Sequence, residues 1–536
     1  MTCDHCASGI QKHLSTKDGI IENHVSYKDK IGEFKYDPEK ISKEVIQEII
    51  DKETHYKVVA EIDDKAGKPN NFDLIIIGGG SAAFSAAIKA NSLGLSTLMV
   101  NAGLDFGGTC VNVGCVPSKN LIRAAETVYH ANHSNFKGIK PQGADIDFGS
   151  LIKGKKQLVN ELQKKKYMDV VSDFDNLVLL KGWAEFVDNK TIIVDGKEKF
   201  TALKILIASG STTKIPAIKG LSKINYLTNI SLFDIEEQPK SLIVLGGGYI
   251  ALEIAQAYHR LGTKVILLQR SVNILSRLNP EISEELLKHL RNEGMEIHTG
   301  LDFEEASENE TGIIVKAKKS GKPQIFGADK ILVSTGTRPN TYNLGLEKTE
   351  VETEKSGHIK VDDHLQTSQS NIYAAGDCIN TPAYVYTAAH EGRIAVENAF
   401  SGTDFKIDYS SLPWVVFTDP QIAGTGIDEA EAIKMNIPFE TSRIELKDIP
   451  RAIAANDTRG FIKLIRNKET DMLIGARIVA PEGGELIQQL SMAIKYGIAI
   501  KELSENLYPY LTLSEGIKLA AITFGKDVSK LSCCAS

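Results

Sequence analysis

The 536-residue sequence contains no hydrophobic run that approaches the roughly 20 residues a membrane-spanning helix requires. Its N-terminus also lacks the basic, then apolar, then small-residue order of a secretion signal. The formal net charge is -7, so a basic surface for nucleic acid is not expected. These absences predict a cytoplasmic protein with neither a nucleic-acid partner nor membrane insertion. The lysine-rich stretches at 153–156 and 164–166 are interpreted as solvated helix faces.

Cysteine is scarce, since the chain contains only 7 cysteines, which excludes a disulfide scaffold in a protein of this length. Six of them nevertheless form three close pairs, namely Cys3 with Cys6, Cys110 with Cys115, and Cys533 with Cys534. In a reducing compartment, such pairs indicate metal binding or redox chemistry.

The first sixty residues have a pattern of their own. An amphipathic stretch at 7–14 precedes strand-like runs around Val25 and Phe34, a helix over 42–52 and a last strand near Val58. A polar linker with glycine and proline follows at 63–71. This segment is therefore predicted to be a separate small domain.

Two glycine-rich turns, each between an apolar strand and a helix, follow the linker. The first contains Gly78, Gly80, Ala82 and Ala83, and the second contains Gly246 and Gly248. Glycine permits close backbone approach to a pyrophosphate, and the helix N-terminus offers free N–H groups to it. The duplication therefore predicts two dinucleotide sites in Rossmann-like domains.

The residues that follow the second strand of each unit indicate which nucleotide is bound. In the second unit, Arg270 ends the run and Arg277 follows, with no acidic residue to accept from a free ribose hydroxyl. This pattern favours NADPH over NADH. In the first unit, Asn101 stands where an acid is common, and its amide can still bond a hydroxyl.

The segment 107–119 contains Gly108, Thr109, Cys110, Cys115 and Lys119. Two cysteines near a helix start can close a disulfide, and the helix dipole stabilises a thiolate. The segment resembles the redox-active motif of the pyridine-nucleotide disulfide oxidoreductases. That resemblance implies a bound FAD, a Cys115 thiolate beside it, and a Cys110 thiol that exchanges with substrate.

Further matches to this family extend along most of the chain from residue 72. They imply that Lys119 pairs with Glu253 and that Tyr249 covers the flavin until NADPH displaces it. The implied FAD contacts are Gly78, Gly80, Ala82, Ala83, Gly108, Thr109, Lys119, Ala184, Asp377 and Val385. The implied NADPH contacts are Gly246, Gly248, Tyr249, Arg270, Arg277 and Gly336.

The C-terminal segment departs from the disulfide-reducing members. Tyr510 stands where they carry a histidine that protonates the leaving thiol, and a phenol of pKa about 10 is a poor proton donor at neutral pH. The electron acceptor should therefore need no such proton. The tyrosine and the Cys533–Cys534 tail resemble the branch of the family that reduces mercuric ion.

Membership of that branch implies a homodimer in which the tail of one subunit reaches the active site of its partner. Tyr249 and Tyr510 would flank the metal, and small thiols would carry Hg(II) to the protein. The N-terminal Cys3 and Cys6 resemble the metal loop of heavy-metal-associated domains, with the first strand of the usual βαββαβ order missing. The implied metal-binding cysteines are Cys3, Cys6, Cys110, Cys115, Cys533 and Cys534.

The predicted fold class is α/β, with two Rossmann-like domains, an α+β C-terminal dimerisation domain and a truncated ferredoxin-like domain at the N-terminus. The predicted segments are the metal domain 1–62, linker 63–71, FAD domain 72–220 and 343–408, NADPH domain 221–342 and dimerisation domain 409–536. Two alternatives stay open, namely a thiol-disulfide reductase of the same fold and a metal-sequestering protein.

Overall fold

A computed structural model of the chain describes residues 4–26, 31–38, 40–54, 56–58, 70–310 and 312–526, with side chains from residue 7 onward. The chain divides into two compact units, Met1–Asn70 and Asn71–Ser536. No helix among these residues is long and apolar enough to cross a membrane.

The smaller unit packs two helices against a two-stranded antiparallel sheet. Its elements are α1 (Asp4–Leu14), β1 (Ile20–Ser26), β2 (Ile31–Tyr36) and α2 (Lys43–Glu53). Its core contains Leu14 of α1, Val25 of β1 and Ile50 of α2. The helix α2 begins where the Ser42 side chain accepts a hydrogen bond from the Val45 N–H, which stabilises an otherwise unpaired donor.

The strand expected near Val58 is not formed in the described residues 56–58. A strand needs a neighbour for its backbone groups, and the Val58 N–H instead donates to the Asp51 carboxylate at 2.7 Å. The prediction of a last strand was therefore wrong for these residues.

The larger unit begins with the first half of an α/β domain. Its elements are β3 (Asn71–Ile77), α3 (Ser81–Ser92), β4 (Thr97–Asn101), α4 (Gly108–Val113), α5 (Cys115–Asn132), α6 (Phe148–Gln163), α7 (Asp169–Val171), β5 (Leu177–Lys181), β6 (Ala184–Phe186), β7 (Thr191–Val194), β8 (Glu198–Ile207) and β9 (Ser211–Thr213). The main sheet has the order β5-β4-β3-β8-β7-β6, and its first four strands are parallel.

A second α/β domain follows. Its elements are α8 (Asn229–Leu232), β10 (Ser241–Leu245), α9 (Tyr249–Arg260), β11 (Lys264–Leu268), α10 (Pro280–Asn292), β12 (Glu296–His298), β13 (Leu301–Asn309), β14 (Gly312–Lys319), β15 (Lys322–Ala328), β16 (Lys330–Val333) and β17 (Thr337–Pro339). The parallel order β12-β11-β10-β16 and the antiparallel sheet β13-β14-β15 enclose an aliphatic core. The chain then returns to the first domain with β18 (Ile372–Ala374), which pairs with β8, and α11 (Val385–Phe400).

The C-terminal part is an antiparallel sheet covered by helices. Its elements are β19 (Trp414–Val416), β20 (Gln421–Gly426), α12 (Glu429–Lys434), β21 (Phe439–Glu445), α13 (Pro450–Ala454), β22 (Phe461–Asn467), β23 (Leu473–Ala480), α14 (Gly483–Lys495), α15 (Ile500–Glu505) and α16 (Glu515–Ile522). The strand order is β19-β20-β23-β22-β21. The α/β class and the α+β C-terminal domain are thus confirmed.

One lysine in the stretch 153–156 is not solvated. Lys155 is only 3% exposed, its ammonium group donates to the Phe233 carbonyl, and burial lowers its pKa. The interpretation as a solvated helix face was wrong for this residue, because α6 packs that face on the core containing Phe233.

Candidate active site

The cysteine pair lies where two helices meet. Cys110 lies in the six-residue helix α4, and Cys115 is the first residue of α5. Gly114 joins them, and a Cβ there would lie 2.8 Å from the Thr109 carbonyl oxygen. Both cysteines are free thiols and partly buried. The break at Gly114 thus places Cys115 at the N-terminus of the long helix α5, where the dipole favours a thiolate.

The two sulfurs have different ionisation. A hydrogen bond from the Cys110 thiol lowers the pKa of Cys115 to about 7, and the nearby Lys119 charge acts in the same direction against burial. The same hydrogen bond and burial raise the pKa of Cys110. Above pH about 7 the pair therefore holds a Cys115 thiolate beside a protonated Cys110.

Lys119 connects the cysteine pair to two other domains. Lys119 Nζ lies 2.8 Å from Glu253 Oε2 of α9 and 4.4 Å from the centre of the Phe417 ring. The second oxygen of Glu253 accepts the Phe417 N–H at 2.9 Å. The pairing of Lys119 with Glu253 that the family resemblance implied is present, and it joins α5, α9 and the segment after β19.

Two variants should shift the pH midpoint of Cys115 alkylation in opposite directions. In the reduced protein, alkylation of Cys115 should rise through pH about 7. Lys119→Met should move this midpoint up by about one pH unit because it removes a stabilising charge, and Glu253→Gln should move it down because its carboxylate raises the pKa. Rates of iodoacetamide labelling, followed by mass spectrometry of the Cys115 peptide, measure both shifts. Midpoints that move in the same direction would contradict this account.

The first glycine turn forms a cradle against the start of α4. A Cβ on Gly108 would lie 2.5 Å from the Gly80 Cα, and one on Gly78 would lie 2.1 Å from the Ala208 carbonyl oxygen. The first N–H groups of α3, at Ser81, Ala82 and Ala83, have no acceptor inside the helix. This arrangement fits a dinucleotide pyrophosphate.

Buried polar groups continue the cradle along the ends of β8 and β18. Asp377 accepts the Ser211 hydroxyl at 2.9 Å, and burial raises the pKa of its carboxyl group. The Ser209 hydroxyl is buried without a hydrogen-bond partner among the described residues. An unpaired buried hydroxyl is costly, so these groups fit the ribityl chain of an FAD. Two other predicted FAD contacts belong to the same domain: Ala184 is the first residue of β6, and Val385 is the first residue of α11.

Sequence reasoning missed a carboxylate that fixes this region. Glu391 of α11 is 0% exposed, and burial raises its pKa. It accepts hydrogen bonds from the Gly376 N–H at 2.6 Å, the Tyr409 hydroxyl at 2.6 Å and the Thr381 hydroxyl at 2.8 Å. Glu391 thus holds the turn that carries Asp377. Only its place on the buried face of a helix signalled it in the sequence.

The second glycine turn forms a more open site. A Cβ on Gly246 would lie 2.2 Å from the Ser334 carbonyl oxygen, and Gly248 at the start of α9 is exposed. Arg270 and Arg277 are exposed, and no carboxylate of the described residues forms an ion pair with either. Gly336 has a positive φ of 106° and its carbonyl accepts the Lys214 N–H. The open turn and the two unpaired guanidinium groups fit NADPH.

Three tyrosines, Tyr249, Tyr384 and Tyr386, lie near one another. Tyr249, the first residue of α9, is 43% exposed, and its pKa is raised by burial and by Asp377 but opposed by Arg277. Tyr384 and Tyr386 stack with ring centres 5.3 Å apart. Burial and Tyr249 raise the pKa of Tyr384 to about 12. The sequence singled out only Tyr249, because Tyr384 and Tyr386 belong to no motif of the glycine turns.

The remaining predicted residues are Tyr510 and the terminal cysteines. Tyr510 is 61% exposed, and it lies in the segment between α15 and α16. Burial raises the pKa of Glu515, which begins α16. Cys3, the Cys6 side chain, Cys533 and Cys534 lie outside the described residues.

Comparisons with known proteins agree with this geometry. Residues 72–392 match the pyridine nucleotide-disulphide oxidoreductase family, residues 412–521 its dimerisation domain, and residues 1–57 the heavy-metal-associated domain. The chain is 41% identical to a mercuric reductase of Lysinibacillus sphaericus, over 100% of this chain and 98% of that protein. It is 42% identical to one of Staphylococcus aureus, over 87% of this chain and 85% of that protein.

A solved structure has the same fold over most of the chain. The HOCl-induced flavoprotein disulfide reductase RclA from Escherichia coli is similar with a TM-score of 0.76 and 26% sequence identity. The alignment covers 85% of this chain and 100% of that chain.

Proposed function

The chain belongs to the mercuric reductases of the pyridine nucleotide-disulphide oxidoreductase family, and from this membership we propose that it reduces thiolate-bound Hg(II) to Hg(0) at the Cys110–Cys115 pair. The observation that carries the proposal is the Cys110–Cys115 pair with the Lys119 charge near Cys115, combined with Tyr510 in place of a proton-donating histidine. When bound, NADPH and FAD supply an electron pair to this site. The balanced reaction is Hg(SR)₂ + NADPH + H⁺ → Hg(0) + NADP⁺ + 2 RSH.

Cys110, Cys115 and Lys119 would have different roles in binding the metal. Cys115 provides the thiolate, and Cys110 provides the second sulfur ligand once it gives up its proton. Soft Hg(II) prefers two such thiolates to oxygen or nitrogen ligands. Lys119 and the N-terminus of α5 stabilise the negative charge on Cys115. Because the product is a neutral atom, no leaving group has to be protonated by a side chain at position 510.

Delivery of the metal would occur by ligand exchange between cysteine pairs. Each incoming thiolate attacks before the previous one leaves, so the ion is never released. Cys3 and Cys6 would collect Hg(II) from small thiols, and Cys533 and Cys534 would pass it to Cys110 and Cys115. The match to a dimerisation domain supports a homodimer, in which the tail of one subunit would serve the active site of the other.

The product itself tests this proposal. The FAD-loaded enzyme, with excess thiol, NADPH and Hg(II), should release elemental mercury, with one mercury atom evolved for each NADPH oxidised. Cold-vapour detection of mercury beside the NADPH absorbance measures that ratio. NADPH oxidation without mercury release would overturn the proposal.

Arg270 and Arg277 should determine the preference for NADPH. Their double replacement by alanine removes two charged donors to a 2′-phosphate, so the KM for NADPH should rise about 10- to 100-fold. The KM for NADH, which lacks that phosphate, should change little and serves as the internal control. Steady-state kinetics with both nucleotides measure the difference. An equal rise for NADH would mean that the arginines act on the shared part of the nucleotide.

A further inference from the structure

Trp183 occupies an unusual place at the edge of the first α/β domain. It lies two residues after the end of β5, and the N–H of the intervening Gly182 donates to the Asn101 carbonyl at the end of β4, at 3.0 Å. The strands β3, β4 and β5 are parallel, so their carboxyl ends share one edge of the sheet. Ligands of open α/β sheets bind outside that edge. Trp183 therefore lies on the cofactor side of the domain.

The backbone at Trp183 is fixed while its side chain is open to solvent. The Trp183 N–H donates to Asp195 Oδ1 at 2.8 Å, and the Asp195 N–H donates to the Trp183 carbonyl at 2.9 Å. A Cβ on Gly182 would lie 2.4 Å from Val194 Cγ1, so the chain runs close against the β7–β8 turn. The residue is nevertheless 71% exposed. A large aromatic ring is thus presented to water from a held position and contributes nothing to the core.

The position of the glycine turn indicates which part of a bound FAD would lie near the Trp183 indole. The pyrophosphate cradle at Gly78–Gly80 lies at the end of β3, and Asn101 at the end of β4 contacts this turn, since a Cβ on Gly79 would lie 2.5 Å from Asn101 Cγ. Neighbouring strands are about 4.8 Å apart. A ribose placed beside Asn101 would therefore direct its adenine toward the segment that follows β5, which contains Trp183.

We propose that Trp183 is the platform on which the adenine ring of FAD stacks. This inference rests on the FAD site of the proposed function and adds a side-chain contact to the backbone contact at Ala184. Stacking on an indole needs no hydrogen-bond complementarity, because every face of a purine is a π-surface. Trp183 would thereby supply affinity for the adenosine half, far from the cysteines.

Fluorescence of the full-length protein tests this contact. The chain has only 2 tryptophans, so Trp414→Phe leaves Trp183 as the single reporter. After release of FAD, ADP should quench the Trp183 emission of this variant, whereas 2′,5′-ADP, a ligand of the NADPH site, should not. In the matched Trp183→Phe variant, ADP should leave the Trp414 emission unchanged. Unquenched Trp183 emission at saturating ADP would overturn the proposal.

Affinity supplies an independent readout. Trp183→Ala should bind FAD about tenfold more weakly, whereas Trp183→Phe, which keeps an aromatic face, should recover most of the affinity. Calorimetric titration of the FAD-free chain measures this, with circular dichroism to establish folding. Wild-type affinity in Trp183→Ala would overturn the adenine contact and leave the mercury reaction untouched. A wild-type chain that binds neither FAD nor ADP would overturn the proposed function instead.

Discussion

Replacement of Cys115 by serine should lower mercury-dependent NADPH oxidation by roughly a thousandfold or more. A serine hydroxyl binds soft metal ions poorly. It also has no sulfur through which the electron pair could pass to Hg(II). The enzyme should keep FAD and NADPH, because Cys115 belongs to neither of the glycine turns that fit their pyrophosphates. The loss should therefore appear in kcat and leave nucleotide binding intact.

Cys378 provides the matched control for this variant. It is fully buried, and its thiol donates to the carbonyls of Ile207 and Ala375, so it packs as a small core residue. Burial raises its pKa to about 12, which keeps it protonated and unreactive. Cys378→Ala should retain turnover. Steady-state assays of both variants decide the matter, and a Cys115→Ser enzyme with substantial mercury turnover would remove the cysteine pair from the mechanism.

The double variant Cys533→Ala with Cys534→Ala should lose about 100-fold in turnover when millimolar glutathione competes for Hg(II). The tethered Cys533–Cys534 pair acts at an effective concentration on the order of millimolar, so it competes with free glutathione for Hg(II). The partly buried Cys110–Cys115 pair lacks this advantage when it meets the glutathione complex directly. With limiting thiol the loss should be much smaller, because Hg(II) then reaches Cys110 and Cys115 directly.

Comparison of rates with and without competing thiol isolates this delivery step. The matched control is Cys3→Ala with Cys6→Ala, which removes the other soft-metal pair and should leave turnover from small thiol complexes largely intact. If the tail variant kept its rate in excess glutathione, Cys533 and Cys534 would have no role in metal transfer.

Sequence reasoning was most successful where chemistry is encoded in consecutive residues. The glycine turns at Gly78–Gly80 and Gly246–Gly248 lie where backbone crowding allows no side chain at Gly78 and Gly246. The ion pair between Lys119 and Glu253 also joins residues that each belong to a recognisable motif. Local pattern was sufficient for these features, because the fold constrains a few neighbouring positions strongly.

Features that depend on contacts between distant segments could not be predicted. The Glu391 carboxylate accepts the Gly376 N–H, and no sequence motif identifies Glu391. The stacking of Tyr384 on Tyr386 depends on the backbone conformation where the chain enters α11. The sequence predicts Lys155 to be a surface residue, and only the packing of α6 shows that it is buried. The lack of a strand over the described residues 56–58 has the same origin, since strand formation depends on a partner supplied elsewhere in the chain.

The identity of the electron acceptor tests the central claim most directly. The FAD-loaded enzyme with NADPH is offered Hg(II) in excess thiol or, separately, glutathione disulfide, and NADPH absorbance is followed. The account predicts rapid oxidation with mercury and almost none with the disulfide, because Tyr510 cannot protonate a leaving thiolate as a histidine would. Rapid oxidation with glutathione disulfide and none with Hg(II) would contradict it and identify the protein as a disulfide reductase.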